Sequence, residues 1–122
     1  MNVVVLGTKQ ALNRMAGLAS AVNVEMVTMA DMPKALDSLG KTKFDVVVLG
    51  GLNGSTETVY RQVKQVCPAP VVLMFDRRHT DWNKVNLLDI SGYIAEQVGP
   101  LELLARLKAI FRRSVLSGGS VR

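Results

Sequence analysis

The sequence predicts an α/β fold: a five-stranded parallel sheet in a doubly wound (βα)5 arrangement, with helices on both faces as a three-layer sandwich. Short apolar runs alternate along the chain with segments whose apolar residues recur at helical spacing. This alternation occurs five times, which is the pattern of repeated βαβ units. The first run, Val3 to Leu6, is continuously apolar and β-branched, as expected for a strand that is buried on both faces.

The predicted strands are residues 3–6, 24–29, 44–49, 69–75 and 93–95. The first predicted helix covers 11–21, and the second is capped by Asp31 and stopped by Gly40. The third is capped by Ser55 or Thr56 and ends before Pro68. Two further helices are predicted at 81–88 and 100–113, the last with a long apolar stripe.

Parallel strands of this kind place their functional crevice at the carboxyl ends of the strands. In this chain those ends carry the segments Gly7-Thr8-Lys9, Gly50-Gly51, Phe75-Asp76 and Glu96-Gln97. We therefore expect any site to form from these residues.

Composition favours a single domain without disulfides or a membrane span. The chain has 122 residues, of which 48% are hydrophobic, and its net charge is +5. No apolar run reaches the roughly 18 residues that a bilayer requires, and the first residues lack the pattern of a signal peptide. We expect a cytoplasmic protein whose charge mainly favours solubility, with Cys67 as a small buried side chain.

Several segments carry a resemblance to a known family. Three of these segments cover the third, fourth and fifth predicted strands. They are Phe44-Asp45-Val46-Val47-Val48-Leu49, Ala69-Pro70-Val71-Val72-Leu73-Met74 and Ser91-Gly92-Tyr93-Ile94-Ala95. With the helix at 100–113, they resemble the receiver domain of two-component response regulators, in the OmpR/PhoB class. The resemblance covers about residues 2–113. It implies a flavodoxin-like fold, with residues 1–113 as the domain and 114–122 as a flexible tail or the start of an interdomain linker.

The resemblance does not extend to the positions that align with the family's phosphorylation site. The acidic cluster that holds magnesium aligns with Gly7, Thr8 and Lys9, which offer no carboxylate. The phosphoacceptor aspartate aligns with Gly50, which has no nucleophile. We therefore expect a degenerate, or atypical, pseudo-receiver with no catalytic residue and no bound metal.

The positions that respond to phosphorylation are also altered. The family's hydroxyl residue aligns with Phe75, and its lysine aligns with Glu96, which opposes a phosphate. The usual cis proline aligns with Gln97. Tyr93 matches the aromatic switch position, but Phe75 beside it should fix its rotamer.

No other chemistry emerges from the sequence. His79 is the only histidine, so a zinc site lacks ligands, and Cys67 lies in a helical pattern rather than at a strand end. The glycines of residues 50–54 do not have dinucleotide or P-loop spacing. We expect no enzymatic activity and no cofactor.

The resemblance implies a homodimer through the fourth helix, fifth strand and fifth helix. The candidate interface residues are Lys84, Val85, Leu88, Glu102, Leu104, Arg106 and Lys108. Ser91 and Gly92 replace two acidic partners of the family's charge network, so that network is incomplete. The alternative is that these charges only solvate a helix.

We therefore expect a phosphorylation-independent dimerisation and signalling module, with transcription regulation through DNA contacted only by an attached or partner domain. The chain itself shows no basic and aromatic recognition surface. The alternative is a small-ligand sensor that uses the emptied crevice around Gly7, Gly50 and Gly51.

Overall fold

In the computed structural model, five parallel strands form one sheet in the order β2-β1-β3-β4-β5. The strands are β1 (Asn2–Gly7), β2 (Asn23–Thr28), β3 (Val46–Gly50), β4 (Val71–Phe75) and β5 (Gly92–Ala95). The structure describes residues 2–14, 23–28, 32–50, 56–75, 83, 88–95 and 97–120. The predicted fold class is confirmed, because this strand order is the flavodoxin-like doubly wound topology.

The described helices are α1 (Lys9–Arg14), α2 (Met32–Lys41), α3 (Thr56–Val66) and α4 (Pro100–Ser120). The predicted helix over 81–88 falls largely outside the described residues, as do Asp31 and Ser55. The helix predicted as the fifth is thus the fourth described helix, and it carries the label α4. Glu57 and Arg61 form an ion pair one turn apart on α3, at 3.0 Å, which supports the helix only weakly because both groups are exposed.

Alternate residues of the strands build two separate cores. Val4 and Leu6 of β1 point to one face of the sheet, where they join side chains of α2 and α3. Val3 and Val5 point to the other face, where they join Leu12 of α1 and the inner side of α4. Burial on both faces explains why the interior strands β3 and β4 contain no polar residues, whereas the edge strand β2 contains three.

The inner side of α4 supplies three residues that are almost fully buried, Leu103, Leu107 and Ile110. Their spacing places them on one stripe of the helix, against the second core. Burial of each such side chain contributes about 1.5 to 3 kcal/mol. The last helix therefore covers one sheet face.

Several predicted boundaries are wrong. Strand β4 begins at Val71 rather than at residue 69, and α2 passes Gly40 to end at Lys41. Phe44 and Asp45 precede β3, which begins at Val46, and Asp45 exchanges hydrogen bonds with Asn2. Helix α4 continues to Ser120 instead of ending at Arg113, so most of the predicted flexible tail is helical. No proline or glycine occurs between Arg113 and Gly118, so nothing in that stretch stops the helix.

Candidate functional site

The carboxyl ends of β1 and β3 lie side by side, and glycines occupy both ends. Gly7 and Gly50 are register partners in the parallel ladder. A Cβ atom built on Gly7 would lie 2.2 Å from the Gly50 carbonyl oxygen and 3.1 Å from its carbonyl carbon. Since backbone atoms cannot move aside as a flexible side chain can, a larger residue at position 7 would require β1 and β3 to shift.

Position 50 is less restricted. A Cβ atom there would lie 3.4 Å from the Ala11 Cβ and 3.9 Å from the Met74 Cβ, which are ordinary contacts. The two glycines that align with the family's acidic residues are therefore not equivalent. A carboxylate side chain has room to start at Gly50 but not at Gly7.

Thr8 has a local structural role. Its hydroxyl oxygen accepts a hydrogen bond from the Ala11 amide at 3.3 Å, and its carbonyl accepts the first helical bond, from Leu12, at 3.0 Å. This is the N-cap of α1. The Thr8 amide also donates to the Gly50 carbonyl at 3.3 Å, which draws the chain after β1 against the end of β3. Lys9 follows, exposed.

The described residues do not fit a magnesium ion. Mg²⁺ requires carboxylate oxygens, and Gly7, Thr8 and Lys9 supply none at the end of β1. Asp45 lies at the opposite end of β3, where its carboxylate accepts a hydrogen bond from the Asn2 amide at 2.7 Å. Within the described part of the chain, no three His, Cys, Asp or Glu side chains come together. Asp76, His79 and Glu96 lie outside it.

Phe75 and Tyr93 are both partly buried, and both pack against the first core. Tyr60, on α3, donates its hydroxyl hydrogen bond to the Asp89 carbonyl at 3.1 Å. Burial raises the pKa of the Tyr93 hydroxyl above its ordinary value of about 10, and the nearby Asp89 and Tyr60 side chains raise it further. The Tyr93 hydroxyl therefore keeps its proton to a higher pH than an unperturbed tyrosine does.

The structure describes only some of the predicted interface residues, and these differ in exposure. Arg106 Nε donates to Glu102 Oε2 at 3.1 Å, so these two charges share one helix face, and Lys108 is exposed near them. Leu104 is half-buried against the second core. Lys84 and Val85 lie outside the described residues.

Leu88 is not available as predicted, because its side chain is only 8% exposed and belongs to the first core. Sequence reasoning instead missed Leu101, which is 85% exposed on the first turn of α4. The apolar stripe of α4 could have indicated Leu101, since it lies two residues before Leu103 and therefore off the stripe. Any apolar contact on this face of α4 thus depends on Leu101 and Leu104.

Cys67 is buried, as expected. The glycine loop after Gly50 and the residue Gly51 lie outside the described residues. Among the helices that the structure describes, none combines the length and the apolar character that crossing a bilayer needs.

The architecture is that of a receiver-type flavodoxin-like domain. A signal receiver domain of an HD domain-containing protein from Pseudomonas fluorescens superposes with a TM-score of 0.71 and 19% identity, covering 98% of this chain and 93% of its own. A two-component response regulator from Clostridium difficile gives 0.67 and 18%, covering 93% and 98%.

The N-terminal domain of a response regulator/sensory box/GGDEF 3-domain protein from Carboxydothermus hydrogenoformans gives a TM-score of 0.71 at 14% identity, with full coverage of both chains. At such identities the likeness concerns the fold alone. No family model matches the sequence, and no curated protein matches it either.

Proposed function

We propose that this chain is a degenerate receiver of the OmpR/PhoB type that signals without being phosphorylated. In this proposal the domain transmits its signal through contacts with a partner, as part of a transcription regulator, and contacts DNA only through an attached or partner domain. It acts in the cytoplasm, and it performs no catalysis and needs no cofactor.

The observation that carries the proposal is the contact between Gly7 and Gly50. At the carboxyl edge of the sheet, the position of the expected nucleophile is glycine, and a methyl group at the neighbouring position would collide with backbone atoms of Gly50. A phosphoryl group would also need a divalent cation to neutralise its charge during transfer. The residues at the ends of β1 and β3, Gly7 to Lys9 and Gly50, supply no carboxylate for such an ion.

This proposal is tested with beryllofluoride, a noncovalent mimic of the phosphoryl group, together with Mg²⁺. We expect the amide resonances of Gly7, Thr8 and Gly50 to remain unchanged in the native chain. The Gly50→Asp variant is the informative companion, because it has an aspartate at the nucleophile position but still lacks the metal ligands. Beryllofluoride should leave the amide resonances of Gly7 and Thr8 unchanged in this variant as well. Saturable shifts of these amides in the native chain would contradict the proposal.

The proposed signalling surface is the exposed face of α4 near its start, with β5 beside it. Leu101 is largely exposed and Leu104 is half-buried, so they offer a small apolar contact. Glu102 and Arg106 already pair within one helix. Exposed ion pairs contribute only about 0 to 1 kcal/mol, so apolar contact must supply most of the affinity of a homodimer.

Sedimentation equilibrium of the native chain tests the dimer. Arg106→Glu places two like charges on this face, and Lys34→Glu on α2 makes the same change of net charge elsewhere. We expect a concentration-dependent dimer that Arg106→Glu weakens and Lys34→Glu does not. A monomer at all concentrations would remove the dimer from the proposal, without affecting the statement about phosphorylation.

The small-ligand alternative receives less support from the described residues. The space beside Gly7 is filled by the backbone of Gly50, and the Thr8 amide closes against the same carbonyl. A ligand at this edge would therefore have to lie beyond Gly50.

A further inference from the structure

An open groove lies at the opposite edge of the sheet, where the strands begin. We call it the amino-edge groove, and it has a volume of about 560 Å³. Its walls come from residues 39–45 between α2 and β3, from residues 66–70 between α3 and β4, and from Phe111, Ser114 and Val115 of α4. Neither the candidate phosphorylation site nor the proposed dimer face shares any of these residues.

The walls of the amino-edge groove are held by hydrogen bonds that do not depend on a ligand. Lys64 Nζ donates to the Ala69 carbonyl at 2.9 Å, which fixes the loop between α3 and β4. Asn2 donates its amide to the Asp45 carboxylate at 2.7 Å, and the Asp45 amide donates back to the Asn2 carbonyl at 2.8 Å. A partner therefore meets a preformed surface, so little ordering is required on binding.

Apolar side chains line the groove and extend to its rim. Among the described residues, the large apolar side chains that are exposed are Val66, Leu101, Val115 and Leu116. Two of these four, Val66 at 40% and Val115 at 55% exposure, line this one groove. Leu116 follows directly on α4. Such a concentration of exposed apolar surface on a small domain marks an interaction site.

The charge around the groove is positive. Lys43 lines the groove and is exposed, and no carboxylate of the described residues pairs with it. Lys41 pairs with Asp37 at 3.1 Å, and both groups are more than half exposed, so screening leaves Lys41 available. Arg112 and Arg113 are exposed on α4 but do not line the groove. Lys64, whose ammonium group holds the Ala69 carbonyl in the wall, adds a positive charge, and Asp45, the acidic residue among the described lining residues, accepts the Asn2 amide.

The groove is elongated. A second, shallower depression of about 310 Å³ continues along the start of β2. Thr42 and Phe44 line both this depression and the amino-edge groove. Glu25 lies there, accepting a hydrogen bond from the Ser38 hydroxyl at 3.4 Å. Small-molecule sites enclose most of their ligand, whereas an open, elongated groove suits an extended chain.

We propose that the amino-edge groove binds an extended peptide segment of a partner protein that carries both apolar and acidic side chains. The apolar side chains contact Val66, Phe111 and Val115. The carboxylates approach Lys41 and Lys43. This is a second interaction surface, independent of the one proposed above for dimerisation.

The test measures binding of a fluorescein-labelled peptide of alternating Glu and Leu to the full chain, by fluorescence anisotropy. A Lys-Leu peptide of equal length is the control probe. We expect the Glu-Leu peptide alone to bind, and added salt to weaken it. Lys43→Glu should weaken binding at least about threefold, whereas Lys34→Glu, an equal charge change on an exposed residue outside the groove, should not.

Val115→Gln should weaken binding as well, with Ala109→Gln, at an exposed position of the same helix outside the groove, as the control. Failure of the Glu-Leu peptide to bind up to about 1 mM, or equal effects of Lys43→Glu and Lys34→Glu, would overturn the proposal. If octanoate shifts the amide resonances of the groove residues and the peptide does not, the groove binds small apolar acids instead. Self-association abolished by Val115→Gln would assign it to a second copy of the chain.

Discussion

At the scale of single residues, the contact of Gly7 with Gly50 controls what the carboxyl edge of the sheet can hold. The two residues are neighbours in the ladder, yet only Gly7 would direct a Cβ into backbone atoms. An acidic side chain at position 7 would therefore require β1 and β3 to shift, because its first carbon would meet the backbone of Gly50.

This asymmetry predicts different costs for two matched substitutions. We expect Gly7→Ala to lower the free energy of unfolding by about 2 to 3 kcal/mol, because the methyl group forces β1 and β3 apart. Gly50→Ala should change it by less than about 1 kcal/mol, because its methyl group makes ordinary contacts. Urea denaturation followed by circular dichroism measures both. Equal costs at the two positions would contradict the described packing.

Tyr93 makes a prediction about pH. Its pKa is raised in the folded chain, so the folded state retains the phenolic proton more tightly than the unfolded state does. The resulting stabilisation is complete below the unfolded pKa of about 10 and is lost as the pH rises through the folded pKa.

The free energy of unfolding of the native chain should therefore fall more steeply between about pH 8 and about pH 11 than that of Tyr93→Phe. Urea titrations of both proteins at these two pH values measure the difference. Parallel falls in the two proteins would show that the Tyr93 hydroxyl has the same pKa in the folded and unfolded chains.

At the scale of elements, α4 has two distinct sides. Leu107 is fully buried against the sheet, whereas Leu101, less than two turns earlier, is 85% exposed. The helix thus closes one sheet face and leaves its other side open for contact. Its continuation from Arg113 to Ser120 also supplies Val115 to the amino-edge groove.

The two leucines form a matched pair for testing this orientation. Leu107→Ala should lower the free energy of unfolding by about 2 to 5 kcal/mol, because it leaves a cavity in the second core. Leu101→Ala should change it by less than about 0.5 kcal/mol at protein concentrations where the chain is monomeric. Thermal or urea unfolding distinguishes them, and similar costs would mean that α4 packs with a different face inward.

The sequence predicted the helices and strands better than the contacts between them. The apolar strands were predictable because burial on both faces leaves an uninterrupted β-branched pattern, as in Val46 to Leu49. The burial of Leu88 was not, because an isolated apolar residue suits a core and an interface equally. The Gly7 contact required the register between two strands that are distant in sequence, and no local pattern encodes that register.

At the scale of the whole molecule, the two edges of the sheet differ in what they offer a partner. At the carboxyl edge the neighbouring ends of β1 and β3 are glycines, while the amino edge presents an apolar groove lined by Lys41 and Lys43. The positive net charge of +5 arises from the second half of the sequence, to which α4 belongs. Our account therefore describes a domain that communicates through surfaces rather than through covalent modification.

Intact-mass spectrometry of the native chain after incubation with acetyl phosphate and Mg²⁺ tests this account most directly. An active receiver domain treated in parallel verifies the reagents. We predict that the mass of the native chain does not change, because Gly50 offers no oxygen to attack phosphorus. Stoichiometric addition of a phosphoryl group to the native chain would contradict the account.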